Sequence, residues 1–207
     1  AAIALAKPVY NGLDGSVYLL DCESSFDSHR FRHHFCDFIK KSGFDGVDLE
    51  SICATALAKI RVAKCSSLLN VIASLRQLAL VVRMEPGLKL VVIDSLTSFL
   101  WSARMDGDGA ALQAAVGRAV RDLVSVPLTS VLGIRTFLSG SDRMSRESVP
   151  RSWQLQVRHR WVASKISATG SSFVLHDTGS DQSVVFHIDE RGVHFGPVPP
   201  PSRRTEP

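Results

Sequence analysis

Leu88-Lys89-Leu90-Val91-Val92-Ile93-Asp94-Ser95 decides the fold of this 207-residue chain. Its unbroken apolar run, Leu90 to Ile93, follows the break at Pro86-Gly87 and leads straight into an acidic residue, so Leu88 to Ile93 is predicted as a strand buried on both faces. Just upstream, Leu68, Leu69, Ile72, Leu75, Leu78 and Leu80 recur at helical spacing, and before them Ile60 and Val62 alternate with Arg61 and Ala63 as a short strand. Earlier still, Asp27 or Ser28 can cap a helix that gathers Phe31, Phe35, Phe38 and Ile39 on one face and leaves Arg30, Arg32, Lys40 and Lys41 in water. Val17-Tyr18-Leu19-Leu20 is another buried strand, entered from the turn residues Asn11-Gly12 and Asp14-Gly15, and Ala1 to Lys7 is helical up to Pro8. Downstream of the central strand, Asp106-Gly107-Asp108-Gly109 forms a loop. Leu112, Val116, Ala119, Val120 and Leu123 then mark a helix up to Pro127, and Leu128 to Ile134 returns to strand. Strands that alternate with helices in this way predict a mostly parallel sheet covered by helices, a doubly wound α/β core.

The last third follows a different rule. Trp161-Val162-Ala163, Phe173-Val174-Leu175, Val184-Val185-Phe186 and Val193-His194-Phe195 are short and closely spaced, with Gly170, Gly179 and Gly192 between them. They are expected to form C-terminal antiparallel hairpins added to one edge of the sheet. Residues 1–196 are taken as one domain, and Pro197 to Pro207, with five prolines and no apolar period, as a disordered Pro-rich tail.

Composition narrows the class without choosing a function. The chain is 45% hydrophobic, 21% charged and 7% aromatic, which excludes collagen, coiled coil and disordered polyelectrolyte. A formal charge of +4 suits contact with a polyanion but is too small to establish it. Cys22, Cys36, Cys53 and Cys65 form no C-x-x-C pair and are expected as reduced thiols in a cytosolic or nuclear protein. No apolar run approaches the roughly 20 residues needed to cross a bilayer, and Ala1 to Ala6 lack the charged start of a secretory signal, so no membrane contact is expected. The chain opens on Ala1 rather than Met inside a helical stretch, as a piece of a longer protein would.

Chemistry is expected at the carboxyl ends of the strands, where open α/β sheets place their ligands. Glu23 stands just past the first strand and Asp94 directly after the central one. An apolar strand ending in Asp is the Walker B pattern, in which the carboxylate holds Mg²⁺ opposite nucleotide phosphates, and it also occurs as a simple helix cap. His33-His34, near Cys36, Cys22 and His29, fails as a zinc site because adjacent helical residues point roughly 100° apart. G-x-S-x-G is missing, and order alone supports no Ser/His/Asp triad.

Several segments in one order carry a resemblance. Val17 to Leu20 followed by Asp21-Cys22-Glu23 and Phe26 resembles the strand, D-T-E and x-x-F segment of the RecA-type recombinases, and Leu90 to Phe99 resembles their Walker B strand. Arg104-Met105-Asp106-Gly107, Ser152-Trp153-Gln154, Val157-Arg158-His159-Arg160 and Gly192-Val193-His194-Phe195 are similar to segments of the recombinase paralogues, so the resemblance runs from Val17 to Phe195. It implies a RecA-like core in a nuclear DNA repair protein of homologous recombination. Such a protein is a subunit, alongside other paralogue subunits, of a complex that assists strand exchange on single-stranded or branched DNA. It also implies ATP and Mg²⁺ as cofactors, Glu23 as the carboxylate that activates water, and Asp94 with Ser95 at the nucleotide, Asp94 being the Mg²⁺-linked residue.

Two departures limit this. No G-x-x-x-x-G-K-[ST] occurs, so the backbone phosphate cradle and its lysine are missing from these residues. Either that loop precedes residue 1, giving an active DNA-stimulated ATPase, or the chain lacks it and serves as an assembly body. Where the recombinases keep an amide residue that senses the γ-phosphate, this chain has Arg135-Thr136-Phe137. The position of the DNA-binding loop falls to Ser139 to Ser152, with Arg143, Arg146 and Arg151 for phosphates and Trp153 for stacking or for the core; Arg104 is a further DNA candidate. An unrelated α/β nucleotide-binding enzyme is the remaining alternative.

Overall fold

The fold was obtained as a computed structural model, which describes residues 1–44, 48–84, 87–99, 105, 107–126, 129–134, 151–166, 170–180, 182–189 and 192–196. The chain divides into two compact units, Ala1–Gln156 and Val157–Pro207, where the sequence is expected to form one domain through residue 196.

In the first unit, alternation along the strands sends successive side chains to opposite faces, and both faces need cover. The described elements are α1 (Ala2–Leu5), a 3₁₀ turn (Pro8–Tyr10), β1 (Ser16–Asp21), α2 (Ser28–Lys41), α3 (Leu49–Ala58), β2 (Ile60–Lys64), α4 (Leu68–Met84), β3 (Leu88–Asp94), α5 (Gly109–Val124), β4 (Ser130–Gly133) and α6 (Arg151–Gln154). The four strands pair in parallel in the order β2-β1-β3-β4. Val17, Leu90 and Val92 face α1, α2 and α3 through Leu5, Phe35, Ile39, Cys53 and Ala56. Leu20, Val91 and Ile93 face α4 and α5 through Leu75, Leu78, Val116 and Leu123. This is the doubly wound arrangement expected from the alternation of strands and helices.

Local chemistry accounts for the helix ends. Asp27 caps α2 by accepting from the backbone N–H of His29 (2.8 Å) and of Arg30 (3.2 Å), and its carboxyl is held below its ordinary value, chiefly by the Arg30 and then the His29 bond. The sequence reading passes over α3. Leu49, Ile52, Cys53, Ala54, Ala56 and Leu57 give it apolar residues on most sides, so no periodicity stands out. Its start is marked by Asp48, whose carboxylate accepts from Ser51 N–H at 3.1 Å. Gly12 is required by closeness: a Cβ there would collide with the carbonyl group of Ala6, in the loop that folds α1 back onto β1.

The second unit holds β5 (Trp161–Lys165), β6 (Ser172–Asp177), β7 (Ser183–Asp189) and β8 (Gly192–Phe195), an antiparallel meander in the order β5-β6-β7-β8. The expectation that these hairpins extend the edge of the parallel sheet is corrected: they form a sheet of their own, because short connections pair each strand with the next one in sequence. The Pro-rich tail, residues 197–207, lies outside the described residues. All four cysteines are unbridged, and among the described residues no helix is long and apolar enough to cross a membrane.

Candidate functional site at the ends of β1 and β3

The strand order reverses at β1. The chain leaves β1 for β2 on one side and then returns to β3 on the other, so the crevice beyond the carboxyl ends of β1 and β3 is the topological switch point of the sheet. Asp21 and Asp94 are register partners there, and Cys22 N–H donates to the Asp94 carbonyl at 2.6 Å, locking the two strand ends together. The Asp94–Ser95 peptide is cis.

Each carboxylate has a different job. Asp21 is 2% exposed and spends both oxygens on backbone, accepting from Ser25 N–H at 3.0 Å and Phe26 N–H at 3.2 Å. That fixes the turn through Ser24, whose φ of 54° is left-handed. The turn carries Glu23 into solvent and toward the second loop, where its Oε1 accepts from Ser95 Oγ at 2.6 Å and from Ser98 Oγ at 3.2 Å. Ser95 itself is 4% exposed and has Thr97 Oγ1 and Ser98 Oγ each at 3.0 Å, so the hydroxyls act as a clasp on one oxygen of Glu23. Asp94 is half-buried, and its carboxyl is pushed above its ordinary value of 3.8 by burial first, then by the like charges of Glu23 and Asp21. Residues 95–99 form turns, so no helix starts directly after Asp94 for it to cap.

Glu23 and Asp94 are the carboxylates here that could meet a small hard cation, because ionised oxygens are the ligands Mg²⁺ prefers and a dication would relieve the like charge on Asp94. Asp94 fits best, being strained by like charge and free of the backbone duties of Asp21. The phosphate half of such a site has no sequence counterpart among the 207 residues.

The structure brings the candidate residues Glu23, Asp94 and Ser95 together, and the sequence reading missed Ser98, signalled only by the hydroxyl-rich Ser95-Leu96-Thr97-Ser98 turn. Arg104, Arg143, Arg146 and Arg135-Thr136-Phe137 lie outside the described residues, and Arg151 opens α6 with its side chain outside them. Trp153 is 7% exposed and belongs to the core cluster that holds Val116 and Val120, so the stacking role is overturned in favour of the core. Burial raises the Cys22 and Cys53 thiols to about 12, which leaves both inert as nucleophiles.

A parallel sheet in this order, helices on both faces and carboxylates at the switch point define an α/β fold of the RecA-like class. No family model matches the chain. The chain is similar to the DNA repair protein XRCC2 of Mus musculus, with 26% identity over 211 aligned positions that cover 89% of this chain and 74% of the mouse protein.

Proposed function

We propose that this chain acts in DNA repair by homologous recombination in the nucleus, as a subunit of a recombinase-paralogue complex whose RecA-like body docks neighbouring paralogues and contacts DNA. The observation that carries this is the similarity to mouse XRCC2, which spans 89% of the chain instead of stopping at a motif. Deleting the gene in its own cells should lower gene conversion at a single induced chromosomal break while end joining continues. Unchanged gene conversion would overturn the reading. For DNA contact, Arg143, Arg146 and Arg151 offer at most three phosphate contacts, and counterion release then gives a salt slope of about −2 on single strands, from roughly 0.7 per contact. Replacing all three by Ala should flatten that slope without creating sequence preference. An unchanged slope assigns these arginines to partner docking.

A second reading, an ATPase, is favoured by the clasp on Glu23, since an assembly body has no need of a positioned carboxylate there. When bound, Mg²⁺ supplies neutralisation of phosphate charge, and Asp94 is the residue that would hold it. Glu23 would orient and deprotonate the attacking water through its second oxygen, Oε2, while Ser95 and Ser98 keep the first in place. These 207 residues should bind Mg-ATP poorly, because carboxylates cannot replace a backbone cradle and lysine. In a version with that loop upstream, Glu23→Gln should slow hydrolysis and leave binding in place, whereas Asp94→Ala should impair Mg²⁺-dependent binding. Equal loss of binding in both variants would remove Glu23 from the base role.

A further inference from the structure

The second unit carries a cluster that the proposed function does not use. On β7, His187 and Asp189 are two residues apart and so share a face, and β8 places His194 directly opposite His187 in the antiparallel register. The nitrogen and oxygen donor atoms of these three side chains all lie within 4.8 Å of one another. The two imidazoles stack with centroids 4.9 Å apart and planes 18° apart, and His194 Nε2 is 3.0 Å from Asp189 Oδ1. That carboxylate oxygen also accepts from Gly192 N–H at 3.1 Å, at the first residue of β8. His187 Nδ1 is buried without a hydrogen-bond partner, a state whose desolvation cost a ligand would offset.

We propose that His187, Asp189 and His194 form a zinc site on the β7–β8 hairpin. The donor set decides the metal. Two imidazole nitrogens and one carboxylate oxygen are borderline donors that suit Zn²⁺, whereas Mg²⁺ and Ca²⁺ want oxygen alone. Three protein ligands leave the fourth tetrahedral position to water, the pattern of an open zinc site. Zinc–ligand bonds of about 2.0–2.1 Å set neighbouring donors roughly 3.3 Å apart, so the widest pair must close by about 1.5 Å. Side-chain rotation supplies this: two of the three residues are half-buried and Asp189 is exposed, on a paired backbone that need not move. The competing account is an ordinary His194–Asp189 ion pair beside a stacked histidine, which needs no metal and gains nothing from one.

The test is titration of the full, tag-free chain with Zn²⁺ alone by calorimetry, after treatment with a chelator, repeated with Co²⁺ while recording the visible spectrum. One equivalent should bind at micromolar affinity or better, and cobalt should show the intense visible bands of four-coordination. His194→Ala and His187→Ala should each weaken zinc at least about tenfold. His33→Ala, which removes the α2 histidine 3.6 Å from Asp37, should change nothing. Should an alanine variant misfold by circular dichroism, Asp189→Asn keeps the hydrogen bond from Gly192 N–H and removes the charge, and it should weaken zinc as well. Absence of micromolar binding, or affinity unchanged in folded His194→Ala or Asp189→Asn, overturns the site.

Discussion

The parallel and antiparallel sheets are stabilised by different means. In the first unit β1 and β3 run through the middle of the sheet, and Leu20, Val91 and Ile93 are fully buried between helices contributed by distant parts of the chain. In the second unit the apolar side chains stay near the surface: Trp161 is 49% and Phe195 67% exposed, and among the described residues no apolar side chain beyond Trp153 is buried. What it has instead is a cross-strand aromatic ladder, Phe173 stacked on Phe186 at 5.3 Å and Phe186 beside Phe195 at 6.0 Å, on top of three continuous backbone ladders. Parallel strands need crossovers that bury both faces, and the core is what closes those long loops; a meander forms from neighbours and depends on local pairs. The first unit should therefore fail through its core and the second through its turns.

The largest expected effect follows directly. Leu75 on α4 is fully buried, and Leu75→Ala should destabilise the first unit by about 3 kcal/mol, from lost transfer energy plus the cavity left behind. Phe195→Ala, on an exposed edge strand, should cost about 0.5 kcal/mol. Urea unfolding of both variants checks the pair, and equal costs would abolish the distinction between the sheets. Next in size is Gly12→Ala, which places a methyl against the Ala6 carbonyl and should cost about 2 kcal/mol as the loop is forced to shift. A shift in urea midpoint with unchanged slope is the expected signature.

A smaller effect, of opposite sign, comes from the switch point. Because burial, Glu23 and Asp21 raise the Asp94 carboxyl above 3.8 in the folded state, ionising it costs more folded than unfolded. The penalty is absent below 3.8, grows as pH rises through the folded value and is complete above it. Asp94→Asn should therefore raise the melting temperature at neutral pH, with the advantage shrinking as pH falls toward 3.8. Added Mg²⁺ should narrow the gap from the wild-type side. A destabilised Asp94→Asn at neutral pH would mean that the carboxylate is satisfied by a partner outside the carboxylate cluster.

The same contrast explains what the sequence disclosed. β3 was legible because its apolar run is short, rich in β-branched residues and bounded by Pro86-Gly87 and Asp94, and α2 because Asp27 and the Phe31, Phe35, Ile39 spacing agree. α3 escaped because its small apolar residues surround the helix and conceal its period. At the switch point, Glu23 and Asp94 were legible as strand-end carboxylates, but the clasp of Ser95 and Ser98 was not, since 72 and 75 residues separate them from Glu23 and only the pairing of β1 with β3 joins them. The His187, Asp189 and His194 cluster depends likewise on strand register: Asp189 and His194 are five apart in sequence, and nothing in that spacing shows that β7 and β8 pair.

The last and smallest effect probes the turns of the second unit. Asp177, at the end of β6, accepts from Gly179 N–H at 3.0 Å and from Ser180 Oγ at 2.7 Å, and these two bonds, the backbone one first, hold its carboxyl below the ordinary 3.8. A depressed carboxylate stabilises the fold above 3.8, and that contribution disappears as pH falls through its lowered value. Asp177→Asn retains an oxygen for Gly179 but no charge, so the turn between β6 and β7 should loosen only modestly. Amide protection across β6 and β7 should drop in the variant near neutral pH, converge with the wild type in acid, and remain unchanged in β1 and β3. If β1 and β3 lose protection equally, the two sheets unfold as one cooperative body, and the difference in how they are stabilised does not make them separate in stability.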